Sequence, residues 1–106
     1  MTKRDLTETT VTTETVFRGA LLHVKRDTAR LPDGRTAPRE YIVHPGAVTI
    51  IALTDTNDVV LERQFRYPAR REFIELPAGK IDPGEDTLAT GKRELREETG
   101  YTAADW

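Results

Sequence analysis

The 106-residue sequence has no cysteine, one methionine and one tryptophan. Without cysteine there is neither a disulfide scaffold nor a thiolate metal centre. Aromatic residues make up only 7% and hydrophobic residues 37%. That is little apolar material for so short a chain, so a self-contained core is expected to be marginal, and a partner chain or further segment is expected to support it. No apolar run approaches the ~20 residues needed to span a bilayer. Residues 1–15 are polar, with Lys3, Arg4, Asp5, Glu8 and Glu14, and lack the apolar stretch of a signal peptide. An excess of one charge is also missing: 16 basic against 18 acidic residues leave −2. This excludes a nucleic-acid binder held by bulk electrostatics. The expected protein is soluble and cytoplasmic, with no membrane and no nucleic-acid partner. At roughly 100–200 residues per domain it is one domain or a piece of one.

What is present reads first as β. Thr at 7, 9, 10, 12, 13 and 15 mixes with Val11, Val16, Leu21, Leu22 and Val24, a density of branched residues that favours extended backbone. Pro32-Asp33-Gly34 is a turn signal, and Arg39–Val43 reads as a further strand ending at Pro45-Gly46. Residues 1–45 are accordingly expected to form an N-terminal strand region. From 46 onward, Ala47–Leu53 is a nearly continuous apolar run suited to a buried strand. Val59–Arg66 alternates, with Val59, Leu61 and Phe65 on one face and Glu62, Gln64 and Arg66 on the other. The two are expected to pair as a hairpin across residues 54–58. Pro68 ends the second strand and Glu72–Leu76 forms another. The period turns helical from about Asp86 to Glu98, with Asp86 or Thr87 as N-cap and Gly100 as the stop.

The helix carries the chemistry. Glu94, Glu97 and Glu98 stand at i, i+3 and i+4, which places them within about 100° of arc on one face. Like-charged neighbours cost about 0.2–0.5 kcal/mol per pair. The negative end of the helix dipole adds about 0.3–1 kcal/mol. A divalent cation removes both penalties, and carboxylate oxygens are the hard ligands that Mg²⁺ prefers. The alternative is a solvated acidic face neutralised by Lys92, Arg93 and Arg96. Residues 59–71 tip the balance, because Arg63, Arg66, Arg70 and Arg71 oppose Glu62 alone, a net of +3. A basic strand end, a Gly-rich loop and an acidic helix suit a metal-bridged phosphate ligand, which arginine grips bidentately. Gly79 leaves room for the Ala78 carbonyl to approach a cation. Glu85 and Arg93 are spaced to clamp loop against helix.

The same residues resemble the Nudix box, G-x5-E-x7-R-E-U-x-E-E-x-G-U, where U is a bulky apolar residue. Gly79, Glu85 and Arg93-Glu94-Leu95-Arg96-Glu97-Glu98-Thr99-Gly100-Tyr101 match every fixed position of the box at 79–101, with Tyr101 aromatic where an aliphatic is usual. Gln64-Phe65-Arg66-Tyr67-Pro68 and Glu75-Leu76-Pro77-Ala78-Gly79 resemble the ADP-ribose pyrophosphatase branch. The resemblance is strong from Gln64 onward and weak before Gly46. It implies an α+β chain, a Nudix α/β/α sandwich behind a small N-terminal antiparallel sheet, with residues 46–106 as the first part of the Nudix domain. The implied reaction is Mg²⁺-dependent hydrolysis (Mn²⁺ substituting) of ADP-ribose to AMP and ribose 5-phosphate. Glu94, Glu98 and the Ala78 carbonyl resemble the metal ligands, with Glu97 a further ligand or catalytic neighbour. Glu85 and Arg93 resemble the pair that orients loop and glutamates. Arg66 and Glu75 match positions that contact the diphosphate–ribose portion, and Arg39 and Glu40 match a contact from the N-terminal strands. The alternative for these four is ordinary strand ion pairs. The branch also implies a homodimer with exchanged N-terminal strands.

Three departures are visible. The family continues past the box with strands, a second helix and a loop bearing another catalytic glutamate, whereas five residues follow Tyr101 here, so no general base is assigned. Gly91 stands mid-helix where the family often has Ala, at about 1 kcal/mol. Phe17, Tyr41 and Tyr67 match no adenine-stacking position and read as core or interface rings, while His23 and His44 read as surface or satisfied histidines. Other nucleoside diphosphate sugars, or a non-catalytic ADP-ribose sensor, are the competing functions.

Overall fold

The computed structural model describes residues 3–106. The chain divides into two compact units, the first ending at His44 and the second running from Pro45 to Trp106.

In the first unit β1 (Thr9–Arg18), β2 (His23–Arg30) and β3 (Thr36–Ile42) form an antiparallel meander in the order β1-β2-β3. The predicted turn forms as read: Gly34 takes φ 89°, and its N–H donates to the Leu31 carbonyl at 2.9 Å. β3 begins three residues earlier than the sequence suggested and contains Pro38. An edge strand tolerates proline because one side of its ladder is unpaired. Asp27, almost wholly buried on the central strand, accepts from Thr13 Oγ1 at 2.6 Å and Tyr41 Oη at 3.0 Å. Tyr41 thus serves the sheet's polar interior. The register sets Thr13, Asp27 and Arg39 side by side.

In the second unit β4 (Ala47–Thr49) pairs antiparallel with β7 (Ala78–Lys80), and α1 (Thr87–Thr99) packs on both. β5 (Glu62–Arg66) pairs with β6 (Arg71–Glu75) around a 3-10 turn at Tyr67–Ala69, where Pro68 sits and Arg70 adopts φ 57°. The expected hairpin between 47–53 and 59–66 shrinks to one bridge, Leu53 with Val59, and a bond from Val60 N–H to the Ala52 carbonyl at 2.9 Å. From Glu62 the strand changes partner to β6. The expected burial changes with it. Ile50 is buried but Ile51 is 73% exposed, and Val59, Leu61 and Phe65 are exposed while Glu62 and Gln64 are partly covered. Among the described residues the buried apolar side chains are Ala29 in the first unit and Ile50, Pro77 and Leu95 in the second, as meagre as the composition implied. One helix is present among them, hence one helical layer of the expected sandwich. No helix there is long and apolar enough to cross a membrane.

α1 is fixed at both ends. Asp86 caps it by accepting from the Ala89 N–H at 2.7 Å, and Gly100, at φ 78°, donates to the Arg96 carbonyl at 2.9 Å. Its packed face carries Thr90, Gly91, Glu94 and Leu95. A methyl group at Gly91 would lie 3.4 Å from the Trp106 ring and 3.8 Å from the Ile50 side chain, ordinary contact distances. Gly91→Ala is therefore expected to stabilise the protein by about 0.5–1 kcal/mol, by removing backbone entropy from the unfolded chain and filling space in the fold. Urea unfolding measures it, and a loss of stability would show that the ring and helix cannot accommodate the methyl.

Candidate active site

The loop from Ile81 to Asp86 and the helix behind it are joined through Arg93, which pairs with Glu85 and lies 3.4 Å from Asp82. Arg93 donates from Nε to Glu85 Oε2 at 2.8 Å and from Nη2 to Glu85 Oε1 at 2.9 Å. Nη2 also reaches the Lys80 carbonyl at 3.1 Å, and Nη1 donates to Glu94 Oε1 at 2.8 Å and Glu97 Oε2 at 3.1 Å. The guanidinium holds the Glu85 carboxyl well below the ordinary carboxylate range, to about 2, with help from Thr90 and the Asp82 N–H. Glu85, Glu94 and the Asp82 carboxylate in turn raise Arg93 further above its already high value. The clamp expected from spacing alone is present as a fork, with Glu85 ahead of the helix rather than on it.

The acidic triplet is not one cluster. Glu94 lies on the buried face against β7, Glu97 is exposed and shares Arg93 Nη1 with Glu94, and Glu98 turns toward β5. Among the described residues no group of three or more acidic or histidine side chains is already gathered to hold a metal. Two features nonetheless suit a cation. A Cβ at Gly79 would fall on the Glu94 carboxyl group, so the glycine is there for space, and its φ is not positive. The ladder bonds from Ile50 to Pro77 and from Ile81 to Gly46 alternate so that the Ala78 carbonyl points away from β4, to the edge where Arg93 meets the Lys80 carbonyl. The donors at hand are all hard oxygens, the set a small divalent cation takes.

Glu62 was missed by sequence reasoning. Its carboxyl lies within hydrogen-bonding reach of Glu98, which with burial and the charges of Glu98 and Glu75 pushes it up to about 7. Neighbouring carboxylates disfavour each other's ionisation, and a cation between them relieves that. Beside them Arg66 grips Glu75, Nε to Oε2 at 3.0 Å and Nη2 to Oε1 at 2.7 Å. Glu62 and Glu98 both act on Arg66, so the structure brings Arg66, Glu75, Glu62 and Glu98 together. Glu62's position on the polar face of an alternating strand was the only available signal, and it reads equally as a solvated residue. Arg39 and Glu40 lie in the other unit. Arg39 forks to Glu8 at 2.9 and 3.1 Å, and Glu40 accepts from Arg26 at 3.2 Å.

A pH dependence follows from Glu62. It holds its proton more tightly when folded, up to about 7, than at its ordinary 4.5. Its contribution is complete below 4.5 and is lost as pH rises through 7. The thermal midpoint of cation-free protein is expected to fall over that window. Saturating Mn²⁺ at pH 8 should restore it, and Glu62→Gln should flatten the slope. An unchanged slope in Glu62→Gln would place the effect elsewhere.

Comparison with known proteins identifies the family. Residues 43–106 match the NUDIX domain, and residues 8–42 match the nucleoside diphosphate sugar hydrolase N-terminal domain. The chain belongs to the Nudix family. It is 42% identical over 100 residues to an ADP-ribose pyrophosphatase of Bacillus subtilis, covering 94% of this chain and 54% of that protein. It is 46% identical over 94 residues to a methanol dehydrogenase activator of Bacillus methanolicus, covering 89% and 51%. A solved structure described as an ADP compounds hydrolase superposes with a TM-score of 0.78 at 28% identity, covering 97% of this chain and 57% of the other. The chain thus spans about half the length of the relatives it matches.

Proposed function

We propose that this site serves divalent-metal-dependent hydrolysis of the diphosphate link of ADP-ribose, giving AMP and ribose 5-phosphate, with Mg²⁺ as the physiological ion and Mn²⁺ a substitute. The observation that carries it is the Glu85–Arg93 fork, which sets Glu94 over Gly79 while Glu98 faces Glu62 and the Arg66–Glu75 pair. Glu94, Glu97, Glu98 and the Ala78 carbonyl supply the metal's oxygens, and Glu62 joins them from β5. When bound, Mg²⁺ polarises phosphoryl oxygens and lowers the pKa of the attacking water. Glu85 and Arg93 hold the loop and neutralise charge between the glutamates. Arg66, which Glu75 orients, pairs in this reading with the diphosphate.

A homodimer and a cytoplasmic location belong to the same reading. The dimer is supported by β1, a ten-residue edge strand exposed along its length, with Val11, Val16 and Phe17 uncovered. Other nucleoside diphosphate sugars are the second reading, favoured by the match of residues 8–42. The test is nucleotide release from a panel of sugar nucleotides at fixed Mg²⁺, with Glu98→Gln beside the unsubstituted protein. AMP formed fastest from ADP-ribose, and lost in Glu98→Gln, supports the proposal. Binding without cleavage by the full-length protein would make it a sensor.

A further inference from the structure

We propose that Thr90 is a positioning residue for the cation-binding glutamates, acting through Glu85; the inference rests on the metal-site reading above and extends it. The box leaves position 90 free, among the seven residues between Glu85 and Arg93. In the structure Thr90 is fully buried, with 0% exposure. Its Oγ1 lies 2.7 Å from Glu85 Oε1 and 2.8 Å from the Asp86 carbonyl. One hydroxyl proton serves one of these acceptors. The Asp86 carbonyl already accepts the Thr90 N–H at 3.0 Å, whereas Glu85 is a carboxylate, to which a hydrogen bond is stronger. The proton therefore goes to Glu85.

Glu85 is then held from three sides. Oε1 takes the Thr90 hydroxyl, Arg93 Nη2 and the Asp82 N–H at 3.2 Å, and Oε2 takes Arg93 Nε. Thr90 is the one buried donor among them, fixed on the packed face of α1. With both Glu85 oxygens set, the guanidinium plane is set, and Nη1 is left aimed at Glu94 and Glu97. Orientation of this kind, one step removed from the ligands, tunes metal affinity.

The experiment is Mn²⁺ titration, read by the electron paramagnetic resonance of free Mn²⁺, on the 106-residue chain and on Thr90→Val, Thr90→Ser and Glu98→Gln. Thr90→Val keeps the side chain's shape and removes the hydroxyl. It is expected to weaken Mn²⁺ binding about 10-fold, and Thr90→Ser to bring it back to within about 3-fold. Thr90→Ala gives the same comparison if valine unfolds the chain. A purely structural role would lower the thermal midpoint and leave the Mn²⁺ affinity of folded protein unchanged, and that result overturns the assignment alone. No Mn²⁺ binding by the unsubstituted chain, or equal binding by Glu98→Gln, overturns the metal-site reading and the Thr90 assignment with it.

Discussion

Gly79→Ala is expected to cost the protein its cation site, with Mn²⁺ affinity falling by about 100-fold and stability by about 1–3 kcal/mol. Residue 79 has no need of glycine's backbone freedom. Its φ is not positive, and it pairs with Val48 in the β4–β7 ladder. What it lacks is a Cβ, which would fall on the carboxyl group of Glu94. That carboxyl ends a flexible side chain, so it is the group that must yield. Glu94 is 9% exposed, is carried on the packed face of α1, and accepts from Arg93 Nη1 at 2.8 Å. Either the helix lifts from β7 or Glu94 abandons Arg93, and both move the glutamate from the edge where the Ala78 carbonyl points. A double substitution separates the two consequences. Adding Glu94→Ala to Gly79→Ala removes the collision, so most of the lost stability is expected to return while Mn²⁺ binding stays lost. Such coupling is what direct contact predicts. If Gly79→Ala binds Mn²⁺ as tightly as the unsubstituted protein, Glu94 is not a ligand.

Which parts of this were legible in the sequence depends on how local their causes are. Asp86 and Gly100 were found because caps are set by a few adjacent residues, and the Glu85–Arg93 fork because a fixed spacing along loop and helix makes it. Glu62 was not, because its role depends on β5 leaving the 47–53 segment for β6, a partner exchange that no periodicity encodes. Alternation sorts Val59, Leu61 and Phe65 onto one face, but which face is covered depends on the strand's partner. The Asp27 centre was equally hidden: Thr13 and Tyr41 each stand 14 residues from it, one in either direction. The convergence of Glu94, Glu97 and Glu98, correct as a helical projection, ignored what each meets. β7 takes one, Arg93 and solvent the second, and β5 the third. A helical wheel gives angles, and the neighbours decide the chemistry.

Arg93→Ala is expected to have the other large effect, because three carboxylates depend on one guanidinium. Glu85, Glu94 and Glu97 all accept from it, and Asp82 lies 3.4 Å away. Removing it leaves like charges facing one another at the junction of loop and helix, two of them on largely covered side chains. The loop loses its tie to α1 apart from Thr90, and Glu94 and Glu97 lose the donor that fixes their spacing. Mn²⁺ affinity is expected to fall about 100-fold, with a clear drop in thermal midpoint. Arg93→Lys is the informative companion. It keeps the charge but has no planar fork, so it cannot bond both Glu85 oxygens while reaching Glu94 and Glu97. Lysine is therefore expected to recover much of the midpoint and little of the affinity. Full recovery of both by lysine would mean that charge alone is required, and that the fork geometry sets nothing at the cation site.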